Sequence, residues 1–217
     1  MLVRFWMSKS PVTVTESASL REAFNLMHRN KIRRLPVVDG DFRLLGIIAL
    51  SDLYPYIGPH GLNLAEPPIE AMDRLSKIRV AEVMTPKPIT CDHNATLEEI
   101  GALMRREKIG AVPVVEKGKL IGIITESDIL GALADIARVG EDGRRICFRI
   151  PVEDKLNIFY KIVSLCENNG LEILTLLTHP LSNNSHLVML RVRGEKVPDL
   201  IDTLWKNHYE VLASASK

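Results

Sequence analysis

Gly122-Ile123-Ile124-Thr125-Glu126-Ser127-Asp128 is an apolar run that closes on hydroxyl and carboxylate side chains. Its β-branched start reads as the end of a buried strand, and its polar close as the first turn of a helix. The same pattern stands earlier in the chain as Gly46-Ile47-Ile48-Ala49-Leu50-Ser51-Asp52. Working outward from this pair, residues 7–38 align with 84–115 at a shift of 77, and residues 42–53 align with 118–129 at a shift of 76. Ala18, Leu20, Glu22, Leu26, Met27, Arg29, Lys31 and Ile32 recur as Ala95, Leu97, Glu99, Leu103, Met104, Arg106, Lys108 and Ile109, and Pro36-Val37-Val38 recurs as Pro113-Val114-Val115. A self-similarity this long marks an internal repeat.

Each repeat reads as a small β-α-β-β-α unit. Pro11–Thr15 alternates as a short strand. Ser19 is placed to cap a helix, with Glu22 three residues on to complete a capping box. Leu20, Ala23, Phe24 and Met27 then form one helical face. Leu35–Val38 and Leu44–Ala49 read as strands around an Asp39-Gly40-Asp41 turn, and Ser51-Asp52 opens a second helix. So small a unit buries little surface alone, so two copies should share an interface. Between them, residues 54–77 carry Pro55, Pro59, Pro67, Pro68, Gly58 and Gly61, a linker with one short helix near Ile69–Leu75.

After the polar joint Val139–Arg145 the pattern changes. Ile146, Phe148, Ile150 and Val152 alternate as a half-buried strand. Leu156, Phe159, Val163 and Cys166 mark a helix face, ended by Asn168-Asn169-Gly170. Leu171–Thr178 and His186–Arg193 read as strands around a His179–Ser185 loop. Val197, Leu200, Ile201, Leu204 and Trp205 mark a second helix, with Pro198 suited to its first turn. Tyr209–Ala213 closes a β-α-β-β-α-β order of ferredoxin-like type. Arg191 and Arg193 are expected on a solvated strand face.

Composition bounds the function. The 217 residues are 46% hydrophobic and 25% charged, as in a globular protein. Twenty-eight basic and 27 acidic residues nearly cancel, which gives no overall attraction to nucleic acid or to a membrane surface. No apolar run approaches the roughly 18 residues of a membrane helix, and Met1–Met7 lacks the pattern of a signal peptide. Cys91, Cys147 and Cys166 are too scattered for a disulfide framework or a CxxC metal site, which fits a reducing cytoplasm. The six histidines have no metal-ligand spacing. No nucleophile elbow, phosphate loop or dinucleotide fingerprint appears. No catalytic and no metal-binding residues are therefore assigned.

The repeated motifs resemble two tandem cystathionine-β-synthase (CBS) domains, a Bateman module, over about residues 1–138. The β-α-β-β-α-β unit behind them resembles an ACT domain, and the combined order resembles bacterial proteins of the acetoin-utilisation regulator type. The resemblance implies a division into residues 1–56 (CBS repeat 1), 57–77 (linker), 78–138 (CBS repeat 2), 139–145 (joint) and 146–217 (ACT-like). It implies a cytoplasmic, non-catalytic sensor that binds an adenosyl ligand between the repeats. AMP, ADP, ATP, S-adenosylmethionine and NAD are the candidates, an AMP-like effector first.

In that setting Thr125 supplies a hydroxyl for a phosphate or ribose oxygen, and the Asp128 carboxylate accepts the ribose hydroxyls. The strand-to-helix turn adds free N–H groups for an anion. The plainer reading has Ser127 and Asp128 only capping a helix. Repeat 1 keeps Asp52 but has Ala49 in place of the hydroxyl, so two unequal sites are expected. The family pattern sets Asp128 opposite Arg33 and Arg34, whose forked donors suit a phosphate. It sets Asp52 opposite Gly110, Ala111 and Ala81. In the ACT-like unit the ligand turn falls on Val152–Asn157, which lacks the family's glycine, so a dimerising or transmitting role is expected there. A homodimer with an unidentified protein partner follows. The alternative is an interaction scaffold with no physiological small ligand.

Overall fold

A computed structural model describes residues 1–57, 69–151, 158–182 and 184–216. Two compact units divide between Gly131 and Ala132.

In the first unit the expected elements form where the sequence places their signals. Helix α1, Leu20–Arg29, starts on a complete Ser19/Glu22 capping box and buries Leu20, Ala23, Phe24 and Met27. Helix α4, Leu97–Glu107, repeats this on Thr96/Glu99. Strands β3 (Arg34–Val38) and β4 (Leu44–Ala49) pair antiparallel, as do β6 (Ala111–Glu116) and β7 (Lys119–Thr125). Helix α2, Leu50–Ile57, follows β4, and α5, Glu126–Ile136, follows β7. The linker helix is α3, Ile69–Lys77, whose Ala71 and Leu75 join the core of repeat 1. Gly58, Pro59, Gly61, Pro67 and Pro68 of the expected linker lie outside the described residues.

The strand expected over Pro11–Thr15 is reduced to β2, Val14–Thr15, parallel to β3. The residues before it do something the periodicity could not announce. Strand β1, Ser8–Lys9, leaves its own repeat and pairs with β7 of the other. Strand β5, Thr85–Pro86, likewise pairs with β4 of repeat 1. The exchange extends to the 3-10 turns ahead of these strands. The Val3 N–H donates to Ala95 O and the Val80 N–H to Ala18 O. The Leu97 N–H donates to Met1 O and the Leu20 N–H to Ile78 O. Each repeat therefore lends its leading segment to its twin, and the two fold as one unit.

This exchange explains the glycine that opens each motif. A Cβ on Gly122 would lie 2.6 Å from Met7 Sδ, and one on Gly46 would lie 2.6 Å from Met84 Sδ. The borrowed strand's own backbone is close behind, with Thr85 O 2.9 Å from the Cβ at Gly46 and Ser8 O 3.1 Å from that at Gly122, so a side chain would push the strand away.

The second unit runs β8 (Arg144–Pro151), α6 (Ile158–Asn168), β9 (Glu172–Leu181), β10 (Ser185–Arg193), α7 (Val197–Lys206) and β11 (Glu210–Ser216). Its sheet is antiparallel in the order β11-β8-β10-β9. Ile146, Phe148 and Ile150 are buried as expected, against Leu200 and Leu204 of α7. Val152, Leu156 and the whole turn Val152–Asn157 lie outside the described residues.

Four expectations for this unit need correction. Cys166 is buried as expected, but Phe159 and Val163 are each 46% exposed, and α6 buries Ile162 in their place with Leu165 partly covered. Two apolar stripes overlap on this helix, and only the sheet selects between them. Trp205 is also exposed, while Val197, Leu200 and Leu204 carry the α7 face. The loop expected over His179–Ser185 is shorter, because His179 and Pro180 continue the ladder opposite Leu187 and His186. Arg191 is not solvated: it is 8% exposed and its guanidinium donates to Glu141 O, while Arg193 donates to Asp142 O and to Glu172. With Thr175 donating to Ile136 O, these bonds tie the end of α5 and the polar joint to the second sheet.

Candidate functional site

A cleft of about 760 Å³ opens between the two repeats of the first unit. Thr125, Glu126, Ser127 and Asp128 form one wall, at the junction of β7 and α5. Lys31, Arg33 and Arg34 form the other, between α1 and β3 of repeat 1. Lys9 enters from the borrowed strand β1, where it faces Gly122. The structure thus brings Asp128 and Thr125 into one space with Arg33 and Arg34.

Asp128 is half-buried and held by its own motif. Its Oδ2 accepts the Thr125 backbone N–H at 2.8 Å and the Thr125 hydroxyl at 2.7 Å. Its N–H donates back to Thr125 Oγ1 at 3.3 Å. This is a capping box, with threonine at the N-cap and aspartate three residues on. The spacing is that of Ser19/Glu22, so the sequence carried the signal. The helix cap is Thr125 with Asp128, not Ser127 with Asp128. The hydroxyl proton of Thr125 goes to the carboxylate, so its first task is to fix Asp128. Among the described residues, Asp128 Oδ1 has no hydrogen-bond partner and stays available to a ligand.

Repeat 1 has half of this arrangement. Asp52 Oδ2 accepts the Ala49 N–H at 2.8 Å, but there is no hydroxyl, and Ser51 Oγ lies 3.5 Å from the other oxygen.

Asp52, Ala81 and Ala111 lie outside the cleft. Ala81 sits in an exposed 3-10 turn and donates its N–H to Glu16 O. Ala111 pairs with Thr125 in the sheet. Gly110, which the family pattern sets opposite Asp52, also lines the Asp128 cleft. The cause is strand pairing: Gly110 O accepts the Glu126 N–H, which binds it to the strand end that carries Thr125.

Sequence reasoning missed Lys9 and Glu126. Glu126 stood inside the quoted motif, but only the fold shows that it faces the arginine wall. Lys9 had no signal, because its place depends on the strand exchange. Among the described residues no group of histidine, cysteine and acidic side chains is arranged to hold a metal ion, and no helix is long and apolar enough to cross a membrane. Cys91 and Cys166 are core residues, and burial pushes both thiols up to about 11.

Two copies of one β-α-β-β-α plan, each completed by the other's leading strand around a polar inter-repeat cleft, define a paired-repeat module. The CBS domain profile matches residues 3–58 and 80–135, and the chain belongs to the CBS domain family. A CBS domain-containing protein of Dictyostelium discoideum is 35% identical over 137 residues, covering 63% of this chain and 93% of that protein. The solved structure of AcuB of Vibrio cholerae, ascribed to acetoin utilization, superposes with a TM-score of 0.53 at 29% identity, over 64% of this chain and 94% of that one. CBSX2 of Arabidopsis thaliana, solved in complex with AMP, superposes with a TM-score of 0.52 at 28% identity, over 62% of this chain and 97% of that one. The residues matched by the family profile end at 135.

Proposed function

We propose that the first unit is a sensor for an adenosyl ligand, AMP-like before ADP, ATP, S-adenosylmethionine or NAD, and that the second unit transmits its state. The observation that carries this reading is the cleft itself. A fixed carboxylate with one free oxygen suits ribose hydroxyls, and it faces Arg33 and Arg34, which suit a phosphate. The AMP complex of CBSX2 supports the ligand class. Asp52, with Ala81 and Ala111 as the residues the family pattern sets opposite it, is the weaker candidate position. The β-α-β-β-α-β order and the 4-1-3-2 arrangement of its strands support an ACT-like role for the second unit, whose compact body opens at Ala132, ahead of the 139–145 joint. The likeness to AcuB supports a regulatory setting near acetoin use. The protein acts in the cytoplasm as a homodimer with a further protein partner and performs no catalysis.

A ligand shifts such a module only through its different affinity for two states. Thermal melting of the full chain against the five candidates tests the reading. A ligand at 100 times its Kd raises stability by about 2.7 kcal/mol. No shift with any of them at millimolar concentration, in a protein that light scattering finds dimeric, overturns the sensor and leaves a scaffold.

A further inference from the structure

We infer that Glu126 is the cleft's internal competitor for Arg34, and that this competition sets how strongly the cleft prefers a phosphate-bearing nucleoside to the bare nucleoside. The inference rests on the ligand class proposed above and adds a residue that decides within it.

The geometry centres on Gly110. A Cβ built there would run into the Arg34 guanidinium, lying 2.9 Å from its Cζ, and would lie 2.8 Å from Glu126 Oε2. Arg34 arrives from β3 of repeat 1, and Glu126 is the first residue of α5 in repeat 2. Two opposite charges from different repeats therefore share the small space that the missing side chain leaves. Any other residue at 110 would expel one of them. They stop short of an ion pair. Among the described residues the Arg34 guanidinium and the Glu126 carboxylate make no hydrogen bond or salt bridge at all. The guanidinium has five N–H donors to satisfy, and Glu126 is the acidic group beside it.

A phosphate that docks on this guanidinium takes two parallel hydrogen bonds from its fork. It must do so next to the Glu126 carboxylate, which both attracts Arg34 and repels the incoming anion. A neutral nucleoside held through Asp128 meets neither cost. Glu126 thus lowers affinity for the anionic ligand and leaves the neutral one nearly untouched. Lys9, Lys31 and Arg33 line the same cleft and keep its field positive, so anions are still admitted.

Calorimetry of the full chain with AMP and with adenosine tests this. In Glu126→Gln the ratio of AMP to adenosine affinity should rise at least about fivefold at low salt, and less at high salt, as for charges near a surface. In Arg34→Gln the ratio should fall, and adding Glu126→Gln to it should raise the ratio less than in wild type, since only the direct repulsion of the anion is then left to remove. Glu126 is exposed, so Glu126→Gln should melt close to wild type. An unchanged ratio, equal shifts for both ligands, or a rise as large in the Arg34→Gln background as in wild type each overturns the inference. Pyrophosphate, which carries no nucleoside, separates the two claims. If adenosine and AMP both fail to bind wild type, the proposed function falls, yet Glu126→Gln must still tighten pyrophosphate for the competition to stand.

Discussion

Ile57 and Leu133 hold the same place in the two repeats, yet Ile57 is 4% exposed and Leu133 is 55% exposed. The cause is α3. Its Ala71 and Leu75 close over Leu53 and Ile57, and among the described residues no helix takes that part for repeat 2 in the first unit. Ala49 and Thr125 form a second such pair, one with half a capping box and one with a whole one. Arg34 and Ala111 form a third. The exchanged backbone bonds, by contrast, match one for one across the repeats. Duplication here preserves what the backbone needs to pair and lets side chains diverge wherever a further element or a cleft meets them.

The largest effect expected from this contrast is on stability. Ile57→Ala should cost about 2–5 kcal/mol, as for other buried truncations, while Leu133→Ala should cost less than about 0.5 kcal/mol. Denaturant melts decide it, and equal losses would break the account of α3.

Next comes the cleft. Asp128→Ala should weaken AMP at least about tenfold, because a hydrogen bond to a charged group is worth about 1.5–3 kcal/mol. Asp52→Ala should change it less. Thr125→Ala frees the carboxylate and should cost roughly three- to tenfold in affinity. Ala49→Thr should firm Asp52 by completing its box. Calorimetry that finds Asp52→Ala as harmful as Asp128→Ala would erase the difference between the sites.

The smallest effect sharpens the symmetric half of the comparison. The Ser19 backbone N–H holds Glu22 below the usual carboxylate range, and the Thr96 N–H does the same for Glu99. A lowered folded pKa means that this stabilisation is present above the unfolded value of about 4.3 and fades as pH falls through the folded one. Acid melts of Glu22→Gln and Glu99→Gln should therefore each be flatter than wild type between about pH 5 and 3, and by similar amounts. A flattening in only one variant would show that the two caps are not equivalent.

Much of the first unit was legible because its signals are local. A capping box at Ser19/Glu22, a face at Leu20, Ala23, Phe24 and Met27, and the Gly46-Ile47-Ile48 strand each depend on residues a few positions apart. Thr125-x-x-Asp128 belongs to the same class, and its capping geometry follows from the spacing already used at Ser19. In the second unit the face of α6 is ambiguous in the sequence, because Phe159 and Val163 on one side and Ile162 on the other all lie at helical spacing from the buried Cys166. Which stripe is buried depends on how the helix rolls against its sheet.

The sequence by itself determined the repeat, the kinds of element in each copy, the aspartate at each helix start and the change of pattern after residue 139. These rest on hydrophobic period, capping and turn chemistry, which act over one or two helical turns. Tertiary structure alone decided that β1 and β5 each complete the other repeat's sheet, that Lys9 thereby enters the cleft, and that Gly110 lies against Arg34 and Glu126. Those are contacts between residues tens of positions apart. They are fixed by the pairing of main-chain hydrogen bonds and by close approach at glycine, and no local pattern of side chains encodes them.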